Sequence, residues 1–176
     1  MFEEYLEDAH AFFQMAVSTA DEQEARRYFR VSVLCTAGAI EAFVNYLADG
    51  FEKAATLPEY EVAFLNDKVL FFDVNNARKT SKAEFHRLED KLRVLLKRFK
   101  PDVDLGREAS WSKVLEFKKL RDGLTHPRQI EDTLPVVEYK RQIKAGLSGI
   151  IGLMNILSLS IYKRPLRAKL LDLIPD

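Results

Sequence analysis

The segment VSVLCTAGAIEAFVNYLADG, residues 31–50, decides the fold of this 176-residue chain. From Val31 to Ala48 it is apolar on nearly every face of a helix, with Glu41 and Asn45 among the exceptions. A helix that is apolar all round belongs in the interior, where neighbours cover each face. The preceding stretch, STADEQEARRYF, offers Ser18 or Thr19 as an N-cap and then acids in a first turn. Gly50 is a C-terminal stop. These signals predict a long central helix over about 21–49.

The rest of the chain is read outward from that helix. Phe2, Leu6, Phe12, Phe13 and Val17 form roughly one stripe of a helix over 2–18. Pro58 opens a short helix to about residue 72, and DVNNARKTS is a loop. Thr80 or Ser81 caps a charged amphipathic helix over 82–99, with Phe85, Leu88, Leu92, Leu95, Leu96 and Phe99 on one side. After the loop KPDVDLG, a helix over 108–125 carries Trp111, Val114, Leu115, Phe117 and Leu120. PRQIEDTLP is a loop, 137–162 a last long helix and 164–173 a short terminal one. Alternating strands and an Asn-Gly or Asp-Gly hairpin between apolar runs are missing, and Asp122-Gly123 follows a helical pattern. The expected class is all-α: one domain over 1–176, a helical bundle of about four core helices plus short extra ones.

Charge is divided along the chain. Residues 1–75 hold 5 Lys and Arg against 14 Asp and Glu, a net of −9; residues 76–176 hold 22 against 13, a net of +9. A zero total excludes a uniformly basic nucleic-acid glove. The asymmetry leaves two readings, a basic surface that meets an anion or two halves that neutralise each other across the bundle. The single cysteine, Cys35, lies in an apolar run and fits a buried small hydrophobe in a reducing compartment. The acidic start MFEEYLEDAH lacks the marks of a signal peptide, so the expected location is cytoplasmic.

Residues 145–162 are free of charge for 18 positions, the lower edge of a membrane span. Four polar residues and Gly146, Gly149 and Gly152 interrupt them. The expectation is a core helix thinned for close approach of another helix, or one at a dimer interface, with no membrane partner.

KKLRDGLTHPR, residues 118–128, carries the candidate chemistry. Arg121 and His126 are separated by about 140° on a continuous helix. Gly123 weakens that helix, and Pro127 biases His126 away from helical dihedrals. His126 then lies at or just beyond the helix end, where its ring can swing towards a neighbour. RDGLTH resembles the Arg-x4-His signature of the HEPN superfamily, the higher eukaryote and prokaryote nucleotide-binding domains. Asp122 stands where that family favours a small polar residue. AGAIEAFVNYLAD, residues 37–49, also looks like the second helix of these domains.

The resemblance implies a helical bundle that dimerises, bringing two motifs into one cleft, and a metal-independent endoribonuclease as the candidate activity. It assigns His126 as the catalytic histidine, Arg121 as the motif arginine and Asp122 as its polar neighbour. An unperturbed histidine titrates near ~6.5 and exchanges protons at neutral pH. An arginine holds a phosphate through a fixed fork of donors. Lys118, Lys119 and Arg128 add positive charge for an RNA backbone. Glu41 needs a partner if buried, and Arg121 is a plausible one; Asn45 lies one turn further on the same face. The bland readings are that Glu41 reaches solvent, that Arg121 pairs with an exposed acid, and that His126 favours a helix C-terminus.

Other chemistries fare worse. His10, His86, His126 and Cys35 lack metal-ligand spacing, and there is no Gly-x-Ser-x-Gly or Walker-type loop. No metal and no cofactor are expected. KLRVLLKRFK, 91–100, reads as the solvated face of a core-packing helix whose positive side would extend an RNA track. The expected partners are RNA or a nucleotide, a second copy of the chain, and a protein of nucleotidyltransferase type, which the family suggests. An enzyme in a toxin or defence system is the leading expectation. A non-catalytic HEPN module that binds nucleotide, RNA or protein is the second, and a purely structural helical dimer the third.

Overall fold

The computed structural model describes residues 1–125 and 134–175. Among them the chain is mostly helical, with one two-stranded hairpin. The elements are α1 (Phe2–Ser18), α2 (Glu22–Ala54), α3 (Glu59–Leu65), β1 (Lys68–Asp73), β2 (Arg78–Ala83), α4 (Leu88–Phe99), α5 (Ala109–Thr125), α6 (Val136–Tyr162) and α7 (Ala168–Leu171).

The apolar helix is central, as its pattern demands. Phe29, Val33, Ile40, Phe43, Val44 and Leu47 of α2 are buried. They meet Leu6 and Phe13 of α1 and Ile143, Ile150 and Met154 of α6 in one core cluster. Its N-cap is Asp21, which accepts the backbone N–H groups of Gln23 at 2.8 Å and Glu24 at 3.3 Å. The expected caps Ser18 and Thr19 instead finish α1. The helix also runs past Gly50, because Phe51 is buried and stacks on Phe99 of α4 at 5.2 Å. The left-handed stop is Ala55, at φ 50°.

The glycines of α6 find their partner in α5. A Cβ on Gly146 would sit 2.1 Å from the Phe117 ring, and one on Gly149 would sit 2.5 Å from Cβ of Lys113. The expected close approach is therefore made within one chain. Arg26 of α2 donates to the carbonyl of Leu134 at 2.7 Å, and Phe29 stacks on Tyr139 at 6.1 Å, so α2 also holds the start of α6. Both α2 and α6 are long and apolar enough to cross a membrane by length and composition, and half of the most apolar window of each is buried in the fold.

The all-α expectation is corrected over 66–87. The helix expected to reach 72 stops at Leu65, and a β-hairpin follows. Asp67 takes a left-handed backbone, φ 55°, which breaks the helix, and Val69, Phe71 and Phe72 suit a strand. Asp73 accepts the backbone N–H groups of Asn75 and Asn76 and builds the turn, returning the chain as the polar strand RKTSKA. Thr80 and Ser81 lie in β2 and cap nothing, and Phe85 precedes α4 rather than lining it. The terminal helix is shortened to α7, since Lys163 is left-handed at φ 58° and Pro165 disfavours a helical Arg164.

Candidate functional site

Arg121 lies on α5, on the side facing the middle of α2. Close packing of α5 on glycine-thinned α6 sets this position. Nη2 of Arg121 donates to Oε1 of Glu41 across 3.3 Å, and Nη1 lies 3.2 Å from Oδ1 of Asp122. The other carboxylate oxygen of Asp122 is 3.3 Å from Nζ of Lys118, which is 3.1 Å from Oε2 of Glu89 at the start of α4. Glu41, Arg121, Asp122, Lys118 and Glu89 thus form one chain of alternating charge linking α2, α5 and α4. Glu89 pushes the Lys118 ammonium pKa above its ordinary value against the effect of burial, and Asp122 adds to the push.

The chain of charges forms one wall of an open cavity of about 1740 Å³. Lys118, Lys119, Arg121, Asp122, Glu41 and Asn45 all line it, so α2 and α5 bring six of the expected site residues together. Tyr139 and Gln142 on α6 and residues 85–87 also line it. Glu41 is half exposed, at 50%, and Arg121 is 25% exposed. Glu41 therefore does what both readings asked, since it reaches solvent and pairs with Arg121. Asn45 is exposed on the cavity wall and makes no side-chain hydrogen bond among the described residues. Lys119 is exposed and has no ion-pair partner among them. His126 and Arg128, expected to supply the proton-transfer group and a phosphate contact, lie outside the described residues.

Electrostatically the wall is mixed. A guanidinium has five N–H donors; Glu41 takes one as a hydrogen bond and Asp122 lies beside the other Nη, so Arg121 keeps its remaining donors for an anion while its side chain is held. Lys113, also in the wall, donates to the Ser148 hydroxyl at 3.3 Å.

Asp67 and His86, which the sequence did not single out, share this cavity with Lys91, which the reading of 91–100 placed on a solvated face and the fold buries. The His86 ring stacks on Phe64 at 4.1 Å, and its backbone N–H donates to Asp67 across 2.8 Å. Lys91, almost wholly buried, reaches the same carboxylate at 2.7 Å. Burial works to raise the Asp67 carboxyl pKa, but Lys91 and the His86 N–H outweigh it and hold the group below its ordinary range. These contacts span 19 to 24 residues of sequence across an unforeseen hairpin, so no local signal marked them.

Cys35 is half-buried against the core, and burial, aided by the charge of Asp8, pushes its thiol pKa up. That environment suits a packing role over a nucleophile. Among the described residues no group of three or more His, Cys, Asp or Glu side chains could hold a metal ion. Comparisons with protein-family models, with curated proteins and with solved structures find no match to this chain.

Proposed function

We propose that the protein is an endoribonuclease of HEPN type, working without a metal, in which Arg121 grips the scissile phosphate and His126 moves the proton. One observation carries the reading. Arg121 is held at the wall of an open cavity of about 1740 Å³, with Lys118 and Lys119 on the same wall. The resemblance of RDGLTH and of AGAIEAFVNYLAD to HEPN domains supplies the class of activity.

RNA carries its own nucleophile, the 2′-hydroxyl beside the scissile phosphate. A histidine near neutral pH takes that proton as the O2′–P bond forms. The P–O5′ bond breaks, and the 5′ oxygen leaves with a proton from a second acid. The products are a 2′,3′-cyclic phosphate and a 5′-hydroxyl. Arg121 meets the charge that grows on the phosphoryl oxygens. Glu41 is a positioning residue, since its carboxylate orients the guanidinium from α2. Two copies of His126 facing across a two-fold axis divide the acid and base roles.

A second reading has its own support. Both ends of the Arg121 guanidinium lie beside carboxylates, which offset the charge that would meet a cleavage transition state and so weigh towards a module that binds a nucleotide, RNA or a partner protein without cleaving. Incubation of a labelled RNA pool in EDTA separates the two. Cleavage by the wild type leaving 2′,3′-cyclic ends, lost in His126→Ala and Arg121→Ala, supports the nuclease. Binding without cleavage from about pH 6 to 8, where histidine titrates, overturns it in favour of the module.

A further inference from the structure

The β1–β2 hairpin is not explained by the core. A two-stranded hairpin is marginal in water without a surface to pack on. Here Phe72 is 62% exposed and Phe71 45%, and Val74 at the tip is exposed. The register sets Phe72 opposite Lys79, Phe71 opposite Thr80 and Val69 opposite Lys82. Successive residues of a strand point to opposite faces, so each face of the arm pairs a phenylalanine with cations.

Charge narrows the identity of the missing occupant. Residues 68–83 hold Lys68, Arg78, Lys79 and Lys82 against Asp73 alone. Asp73 is committed to the turn, where hydrogen bonds from the Asn76 side chain and the backbone N–H groups of Asn75 and Asn76 hold its pKa down against burial. Lys79 is paired with Glu59. Lys68, Arg78 and Lys82 have no acidic partner among the described residues, and neither does Arg87 just beyond the arm. Unpaired cations interleaved with exposed aromatic rings match a strand of nucleic acid, whose phosphates and bases need both.

The arm leads into the cavity. Its root is tied by the Glu84 N–H, which donates to the Asp67 carbonyl at 2.9 Å. Phe85, 84% exposed, and Arg87 then line the cavity that Lys118 and Arg121 also line. Strands of six residues extend about 20 Å from that rim. Stacking requires an unstacked base, so the occupant is single-stranded.

We infer that the β1–β2 arm and Phe85 guide single-stranded RNA towards the cavity, with Phe85 as a base-stacking platform at its rim and Arg78, Lys82 and Arg87 on the phosphates. This rests on the RNA reading above and adds a binding surface outside the Arg-x4-His motif.

The test uses the full chain carrying His126→Ala as parent, so that cleavage does not intervene. The probe is a fluorescein-labelled oligouridylate, followed by anisotropy through a salt titration. Phe85→Ala is expected to weaken binding roughly ten-fold, and Phe85→Trp to restore it, as loss of one stacked base predicts. Arg78→Gln with Lys82→Gln is expected to lower the slope of log affinity against log salt by about 1.4, the loss of two phosphate contacts to a single strand. Parent-like affinity and slope in all these variants, with binding lost in Arg121→Ala, would overturn the arm and leave the cavity reading standing. If the parent binds no RNA, the RNA reading itself falls and the arm with it. If Phe71→Ser with Phe72→Ser abolishes self-association while RNA binding is unchanged, the arm is a contact between copies and the proposal fails.

Discussion

Arg121 and Lys91 are both cations paired with carboxylates, yet they do different work. The Arg121–Glu41 pair is partly exposed, and such pairs contribute little to stability. Glu41→Gln should therefore change the urea-unfolding free energy by no more than about 0.5 kcal/mol. If Glu41 positions the arginine, the same variant should weaken RNA cleavage several-fold, whereas a large loss of stability with unchanged cleavage would make the pair purely structural. Lys91 is buried, and removing its partner strands a charge. Asp67→Ala should cost about 2 kcal/mol, more than Lys91→Met, because the methionine removes the charge along with the bond. The Asp67 carboxyl is held below its ordinary value of 3.8, so folding favours its ionised form. Its contribution is complete above that value and is lost as the pH falls below it. Urea unfolding near pH 6 and pH 3 should show a smaller acid loss in Asp67→Asn than in the wild type.

At the scale of elements, α5 is carried by its contact with α6. Gly149 leaves no room for a methyl, since its Cβ would meet both Cβ of Lys113 and the Ser110 carbonyl at 3.1 Å. Gly149→Ala should destabilise by about 1–3 kcal/mol through overpacking. Gly152→Ala should cost less, because the nearest atom there is the Ser110 hydroxyl, which can rotate away. Comparison of the two melting temperatures decides this, and equal losses would mean that α5 is not pressed against α6 at Gly149. The end of α2 offers the opposite change. Ala55 occupies a left-handed backbone that costs an L-residue roughly 1–2 kcal/mol relative to glycine. Greater flexibility of the unfolded glycine offsets part of this, so Ala55→Gly should gain up to about 1 kcal/mol, seen as a raised urea midpoint.

Over the whole molecule, the acidic and basic halves of the sequence meet. Arg121–Glu41, Lys91–Asp67, Arg98–Glu61, Arg167–Glu3 and Lys169–Glu7 each join the two halves. Neutralisation across the bundle is therefore part of the answer, while Lys119, Arg87, Lys68, Arg78 and Lys82 have no acidic partner among the described residues. The ribonuclease reading also needs two copies, because the two proton transfers call for two histidines from one motif. Cleavage should fall more steeply than in proportion to protein concentration once the dimer dissociates, with sedimentation measured in parallel. Full activity per chain in a purely monomeric solution would overturn the two-fold arrangement.

The helices were legible wherever their own residues sufficed. The apolar run 31–48 called for a central helix and the glycines at 146, 149 and 152 for a close neighbour, and both are found. Glu41, an acid inside an apolar run, called for a partner if buried, with Arg121 as a plausible one, and the two do pair. Contacts distant in sequence decided the rest. Burial of Phe51 against Phe99 carried α2 beyond Gly50, and packing chose α5 as the neighbour of α6. Asp67 turned the chain from helix into hairpin, with Lys91 and His86 gathered on its carboxylate from further along. A helix declares itself through residues three and four apart, whose periodicity any sequence displays. A polar strand such as RKTSKA, and a cavity walled by segments distant in sequence, exist only once the chain has closed and distant side chains have met.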